Sequence, residues 1–115
     1  MIRGEVYWAD LAPRSGSEQR GRRPVVVVSH DGFNAAPTWQ TVIIVPLTTS
    51  EAQARRGPTA VPLPSRTAGL AKGSVAVCHQ VTTLDRSKLR ERLGILPAPA
   101  MSAIEHGLRA ALALE

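Results

Sequence analysis

Cysteine is nearly absent from this chain. Cys78 stands alone, so no internal disulfide forms and no cysteine cluster holds zinc, as suits a reducing compartment. Aromatic residues are also scarce, at 3% (Tyr7, Trp8, Phe33 and Trp39), too few for the base-stacking platform of a conventional single-strand-binding sheet. Long apolar runs are missing. The longest, residues 25–28 and 42–47, fall far short of the roughly 20 residues that span a bilayer. Arg3, Glu5 and Asp10 precede any hydrophobic segment, which argues against a secretory signal, and a soluble cytoplasmic protein is expected. Walker loops, dinucleotide fingerprints, zinc motifs and nucleophile elbows are all lacking, and His30, His79 and His106 show no metal-ligand spacing. These gaps disfavour nucleotide-driven and metal-dependent chemistry, and no cofactor is expected.

What is present suffices for one folded domain over residues 1–115. The chain is 43% hydrophobic and 20% charged, a balance that supports a buried core at this size. Its formal net charge is +5, and twelve of the fourteen basic residues are arginine. Arginine grips phosphate through a planar fork where lysine offers a hydrated point charge. Arg14, Arg20, Arg22 and Arg23 lie close together, opposed only by Glu18, and such a cluster attracts polyanions. A merely solvated basic face fits the same composition.

The pattern of elements is mainly β. Residues 5–11 alternate loosely as a strand, a polar glycine-bearing loop covers 12–22, and residues 24–28 read as a strand covered on both faces, with Pro24 at its start. Asp31-Gly32 marks a turn. Residues 41–47 form a second apolar strand, followed by a polar loop to Pro58. Residues 59–63 and 73–78 are shorter strands, the first placed at an edge by Pro62. Asp85 is expected to cap a short helix over 86–91, with a last strand over 94–96. Met101, Ile104, Leu108 and Leu112 recur at helical spacing, with Ala111 widening the stripe. Gly107 costs that helix about 1 kcal/mol relative to alanine, so packing on the sheet must hold it. The sum is a small, mostly antiparallel β domain closed by a C-terminal helix.

Two loops combine hydroxyls with arginines at the ends of apolar strands. In the first, residues 16–24, Gly16 and Gly21 permit close backbone approach to a ligand. Arg23 is biased toward an extended conformation by the following proline, so its side chain starts from a fixed place. Spacing alone fits a surface arginine at a loop end equally well. The second loop carries Thr48, Thr49 and Ser50, three hydroxyls able to orient a phosphate oxygen or to bond local backbone in a turn. His79 and Gln80 close a strand near which a site can form, although a lone histidine is also a common structural residue. Phe33 and Trp39 flank a loop where each can stack a base or fill core volume.

Residues 3–11 (Arg-Gly-Glu-Val-Tyr-Trp-Ala-Asp-Leu), Gly16-Ser-Glu-Gln19 and residues 23–29 (Arg-Pro-Val-Val-Val-Val-Ser) strongly resemble the opening of MazF/PemK toxins of bacterial toxin–antitoxin systems. The likeness continues through residues 44–49 and 73–81, Leu84-Asp85 and the C-terminal amphipathic segment, so it covers essentially the whole chain. The resemblance implies an SH3-like small β-barrel (PemK/CcdB-like) with a short helix and a C-terminal helix. It implies a homodimer that cleaves single-stranded RNA at short sequences without a metal, as the toxin of a pair restrained by a cognate acidic antitoxin and blocking translation and growth. Carried across, the family's catalytic arginine falls on Arg23, its catalytic threonine on Thr48 and the loop glutamate considered for proton transfer on Glu18. Ser17, Gln19, Arg20, Arg22, Thr49, Arg55, Arg56 and Gln80 are expected to contact RNA. Some members carry histidine where this chain has Arg22, which leaves the proton-transfer assignment open.

The side chains suit that chemistry. In metal-free cleavage the ribose 2′-OH attacks the adjacent phosphorus, leaving a 2′,3′-cyclic phosphate (or its 3′-phosphate product) and a 5′-hydroxyl. Arg23 is expected to stabilise the charge on the phosphate, and Thr48 to hold the reacting atoms in line, since threonine is a poor base. Two other functions share the expected fold: a non-catalytic nucleic-acid-binding barrel, and a gyrase-poisoning toxin of the CcdB type. The latter toxins end in Trp-Gly-Ile, whereas this chain ends Leu112-Ala-Leu-Glu115.

Overall fold

A computed structural model describes residues 1–11, 16, 21–55 and 57–115. Seven strands form its centre: β1 (Glu5–Asp10), β2 (Arg22–Val27), β3 (Thr41–Thr48), β4 (Ala60–Leu63), β5 (Ser74–Val77), β6 (Thr82–Asp85) and β7 (Leu89–Ile95). All pairings are antiparallel in the order β4-β5-β3-β2-β1-β7, with β6 also on β3. Among the described residues the sheet does not close by strand pairing, so the expected small β-barrel is an open version of itself. β4 ends the order, as Pro62 requires.

The valine-rich strands read as continuous apolar runs because the structure covers both of their faces. Val26, Val45 and Leu47 join one core with Val6, Val61, Cys78 and Ile104. Val25, Val27, Val42 and Ile44 join a second with Ala9, Leu11 and Leu84. β3 is the hub. Its first half pairs with β6, from Thr41 opposite Asp85 to Ile44 opposite Thr82, while Leu47 and Thr48 pair with Ala76 and Val75 of β5.

Several expectations change. β2 begins two residues before Pro24, because Arg22 and Arg23 pair with Asp10 and Ala9 of β1. The helix expected over 86–91 is a 3₁₀ turn, Arg86–Lys88, capped by Asp85 Oδ1 accepting the Ser87 N–H at 2.9 Å. Beyond it the chain is β7, where cross-strand partners outweigh local helical preference. Arg90 pairs with Asp10 at 2.5 Å, Glu91 with Arg22 at 2.6 Å, and Arg92 with Glu5. Phe33 and Trp39 do not fill the core. Both are exposed, and their ring centroids lie 4.6 Å apart on the surface. Short helices α1 (Asp31–Asn34) and α2 (Glu51–Ala54) occupy stretches read as turn and loop.

The helix α3 (Ala98–Leu112) starts before Pro99, which fits within the first turn where its missing N–H costs nothing. Ile104 and Gly107 are buried, Met101 and Leu108 pack partly on the core, and Leu112 is exposed, so the stripe ends earlier than its spacing suggests. Gly107 has a packing reason. A Cβ there would lie 2.7 Å from Cys78 Sγ and 3.0 Å from Val61 Cγ2. Burial pushes the Cys78 thiol up to about 11, leaving it a core residue rather than a nucleophile. No helix among the described residues is long and apolar enough to cross a membrane.

Glu5, almost buried, ties the sheet edge together. It accepts from Arg92, from the Ile2 N–H at 2.6 Å and from Tyr7 Oη at 3.1 Å. Burial works to raise its pKa, but those hydrogen bonds and the Arg92 charge prevail and hold it below the ordinary value of 4.5. The carboxylate therefore stabilises the fold above the unfolded pKa, and that contribution is lost as pH falls through the folded one.

Two measurements follow from this packing. Gly107→Ala improves helix propensity yet is expected to destabilise the protein by about 1–3 kcal/mol in urea denaturation, because the methyl meets Cys78 and Val61. Glu5→Gln should lower neutral-pH stability by about 1–3 kcal/mol, with the deficit shrinking as pH drops below 4.5. A deficit independent of pH would remove the carboxylate charge from this account.

Candidate active site

The end of the β2–β3 ladder makes a cleft. β2 stays paired with β1 out to Arg22, but its pairing with β3 stops at Val25 opposite Pro46. Pro24 lacks the N–H that would point at β3, so the ladder loses a donor where it ends. Past that point β3 pairs through Leu47 and Thr48 with β5 instead. The β2–β3 register, Val26 opposite Val45 and Val25 opposite Pro46, sets Arg23 opposite Thr48 when continued by two residues. Both side chains line one cleft of about 440 Å³.

The walls differ in character. Trp8, Leu47, Leu70 and Leu93 form an apolar floor, and Arg22, Arg23, Thr48, Thr49, Lys72 and Ser74 supply donors around it. Thr48 is buried, and its Oγ1 accepts the Ser50 N–H at 3.2 Å. That contact fixes the oxygen and leaves its own proton to donate. Arg23 is exposed at the rim. Arg22 lies with its guanidinium carbon 5.2 Å from the Trp8 ring centroid and forms its ion pair with Glu91. Both partners of that pair are more than half exposed, so it is worth little and an incoming phosphate can displace the carboxylate.

A third wall comes from residues 69–74, which sequence reading did not assign to the site. Its place is fixed by two glycines. Gly69 has φ +78°, and a Cβ on it would sit 2.2 Å from the Leu93 carbonyl oxygen. A Cβ on Gly94 would sit 2.6 Å from the Ala68 carbonyl carbon. The two backbones therefore cross in contact, and Lys72 reaches the cleft from a loop pressed onto β7. Paired glycines far apart in sequence were the available signal, but only the fold shows that they meet.

The arrangement can do one thing well: hold a phosphodiester between a guanidinium and a fixed hydroxyl, over an apolar floor that excludes water. Among the described residues no group of three or more His, Cys, Asp and Glu residues is placed to hold a metal ion.

Known proteins point the same way. A family model described as PemK-like, MazF-like toxin of type II toxin–antitoxin system matches residues 2–112. Endoribonuclease MazF6 of Mycobacterium tuberculosis is 41% identical over 114 residues, covering 99% of this chain and 98% of that protein. Endoribonuclease MazF2 of Mycobacterium bovis matches to the same extent. The chain belongs to the PemK/MazF toxin family. It is an endoribonuclease toxin of that kind. Among solved structures, MazF from Deinococcus radiodurans superposes with a TM-score of 0.81 at 28% identity, covering 99% of this chain and 97% of that one. A mycobacterial endoribonuclease in complex with its cognate antitoxin superposes with a TM-score of 0.74 at 29% identity, covering 100% and 95%.

Of the residues singled out by the MazF/PemK resemblance, four meet at the cleft: Arg22, Arg23, Thr48 and Thr49. Arg55 does not line it and instead faces Glu51 across one helical turn at 3.9 Å. Gln80 lines a second cavity together with His79. Ser17, Glu18, Gln19, Arg20 and Arg56 lie outside the described residues.

Gly94→Ala is expected to push the 68–72 loop off β7 and destabilise the toxin by about 1–3 kcal/mol. Urea denaturation together with amide shifts at Lys72 checks this; unmoved Lys72 signals would mean that the glycine crossing does not place the wall.

Proposed function

We propose that Arg23 and Thr48 together grip the scissile phosphate of single-stranded RNA and that the toxin cleaves it, at specific sequences, without a metal. The supporting observation is that the two residues, opposed in register across the β2–β3 gap, line one cleft. The 2′-oxygen attacks phosphorus, the bond from phosphorus to the 5′-oxygen breaks, and the products carry a 2′,3′-cyclic phosphate and a 5′-hydroxyl. The 2′ proton passes to a base and a proton reaches the departing 5′-oxygen. Charge gathers on the non-bridging oxygens, where Arg23 stabilises it. Thr48 donates to the same phosphate and keeps attack in line. Glu18 is the candidate base, since its loop leads directly into Arg23. Arg22 and Lys72 hold the flanking backbone by charge.

The partners follow the same chemistry. A cleft rimmed by arginines that receives an RNA polyanion also receives an acidic peptide that folds on binding, so a cognate acidic antitoxin occludes it. The mycobacterial relative captured with its antitoxin supports this. The toxin acts as a homodimer in the cytoplasm, where its RNA substrate is found.

Incubating the purified protein with mixed RNA in EDTA and sequencing the 5′-hydroxyl ends tests the proposal. Cuts at a defined short sequence are expected, and none where the scissile nucleotide is 2′-deoxy. Arg23→Ala should slow cleavage by about 100- to 1000-fold with the fold intact by circular dichroism. Undiminished cleavage by that variant, or binding of RNA with no cleavage by the native protein, would overturn it.

A further inference from the structure

A second cavity of about 310 Å³ is walled by Gln53, Thr59, Ala60, Val77, His79 and Gln80. It differs from an incidental hollow in one respect. The Gln53 side-chain oxygen is buried and, among the described residues, has no hydrogen-bond partner. An unpaired buried carbonyl oxygen is costly, and a ligand that brings an N–H donor relieves that cost.

Gln53 is also tied mechanically to the cleft. Thr48 Oγ1 accepts the Ser50 N–H at 3.2 Å, and Ser50 Oγ, the N-cap of α2, accepts the Gln53 N–H at 3.4 Å. Val75, opposite Thr48 in register, and Val77, which lines the cavity, lie on one face of β5 two residues or about 7 Å apart. A strand of RNA held by its phosphate at Arg23 thus has a neighbouring base within reach of Gln53.

We propose that this cavity is a base-reading pocket, in which the unpartnered Gln53 oxygen accepts a hydrogen bond from the exocyclic amine of a base flanking the scissile phosphate. The inference rests on the RNA-cleaving reading of the adjacent cleft. Carboxamide side chains read amino-bearing base edges in this way, and a buried acceptor rejects a ligand that leaves it unpaired. Uracil still offers its N3–H, so the disfavoured base is an unsubstituted purine, which has neither the amine nor another N–H on its pairing edge. The Thr59 hydroxyl and the His79 ring offer further polar contacts at the cavity wall.

The test measures binding rather than cleavage. Short RNAs with a 2′-deoxy sugar at the scissile position are not cut, and the flanking bases are varied one at a time. The native toxin should prefer adenine over unsubstituted purine at one flanking position by about 10- to 100-fold. Gln53→Met, similar in size but without the acceptor, should lose that preference, while Gln53→Glu, which keeps an acceptor, should retain it. A Gln53→Met toxin with unchanged base preference overturns the proposal. So does one whose base preference is intact but whose binding of an acidic antitoxin peptide is weakened, since the cavity would then belong to the protein partner. Base discrimination that persists while uncapped natural RNA stays uncut would sink the catalytic reading and leave the base pocket standing.

Discussion

The separation of β2 from β3 beyond Val25 and Pro46 shapes everything at the cleft. A strand pair that continued in full would close the space between Arg23 and Thr48 with backbone hydrogen bonds. Pro24 withholds its donor from β3 at the point where the strands part, and each strand finds another neighbour: β2 keeps β1, and β3 turns to β5. The gap is then lined by side chains held at known register but not consumed by the ladder. The two apolar cores on either face of β2 and β3 keep those strands immobile right up to the gap.

The rest of the structure holds the rim in place. β7 is fastened to β1 and β2 through Glu5, Asp10 and Arg22, and the Gly69 and Gly94 backbones press the Lys72 loop against it. On the opposite side α3 closes one core through Ile104 and through the contact of Gly107 with Cys78. A glycine that weakens a helix in isolation is retained because the sheet beneath it leaves no room for a methyl.

Local patterns carried much of this in the sequence. The β-branched run at 25–28 announced a strand buried on both sides, that at 42–47 a second apolar strand, and Pro62 an edge. Arg23 beside its proline and Thr48 at a strand end were recognisable as candidates, although which arginine and which hydroxyl share a cleft depends on antiparallel register. What stayed hidden was tertiary. Residues 89–93 look helical or ambiguous alone and become a strand because β1 offers an open ladder and carboxylates for Arg90 and Arg92. The Lys72 wall was invisible because it depends on two backbones separated by more than twenty residues touching at glycine. The Gln53 oxygen gave no signal, since whether a glutamine is satisfied is known only once its neighbours are placed.

The two sides of the cleft differ in stiffness, and the difference has a physical origin. Thr48 is buried and held by β5 and by the Ser50 N–H, so its oxygen is fixed before any ligand arrives. The arginines are exposed at the rim, and the Arg22–Glu91 pair is solvent-screened and weak. A fixed, neutral donor below and exposed charges above divide the work between geometry and attraction. In the proposed mechanism long-range charge gathers the polyanion whatever its sequence, and Arg23 with the fixed Thr48 oxygen sets where along it a phosphate rests.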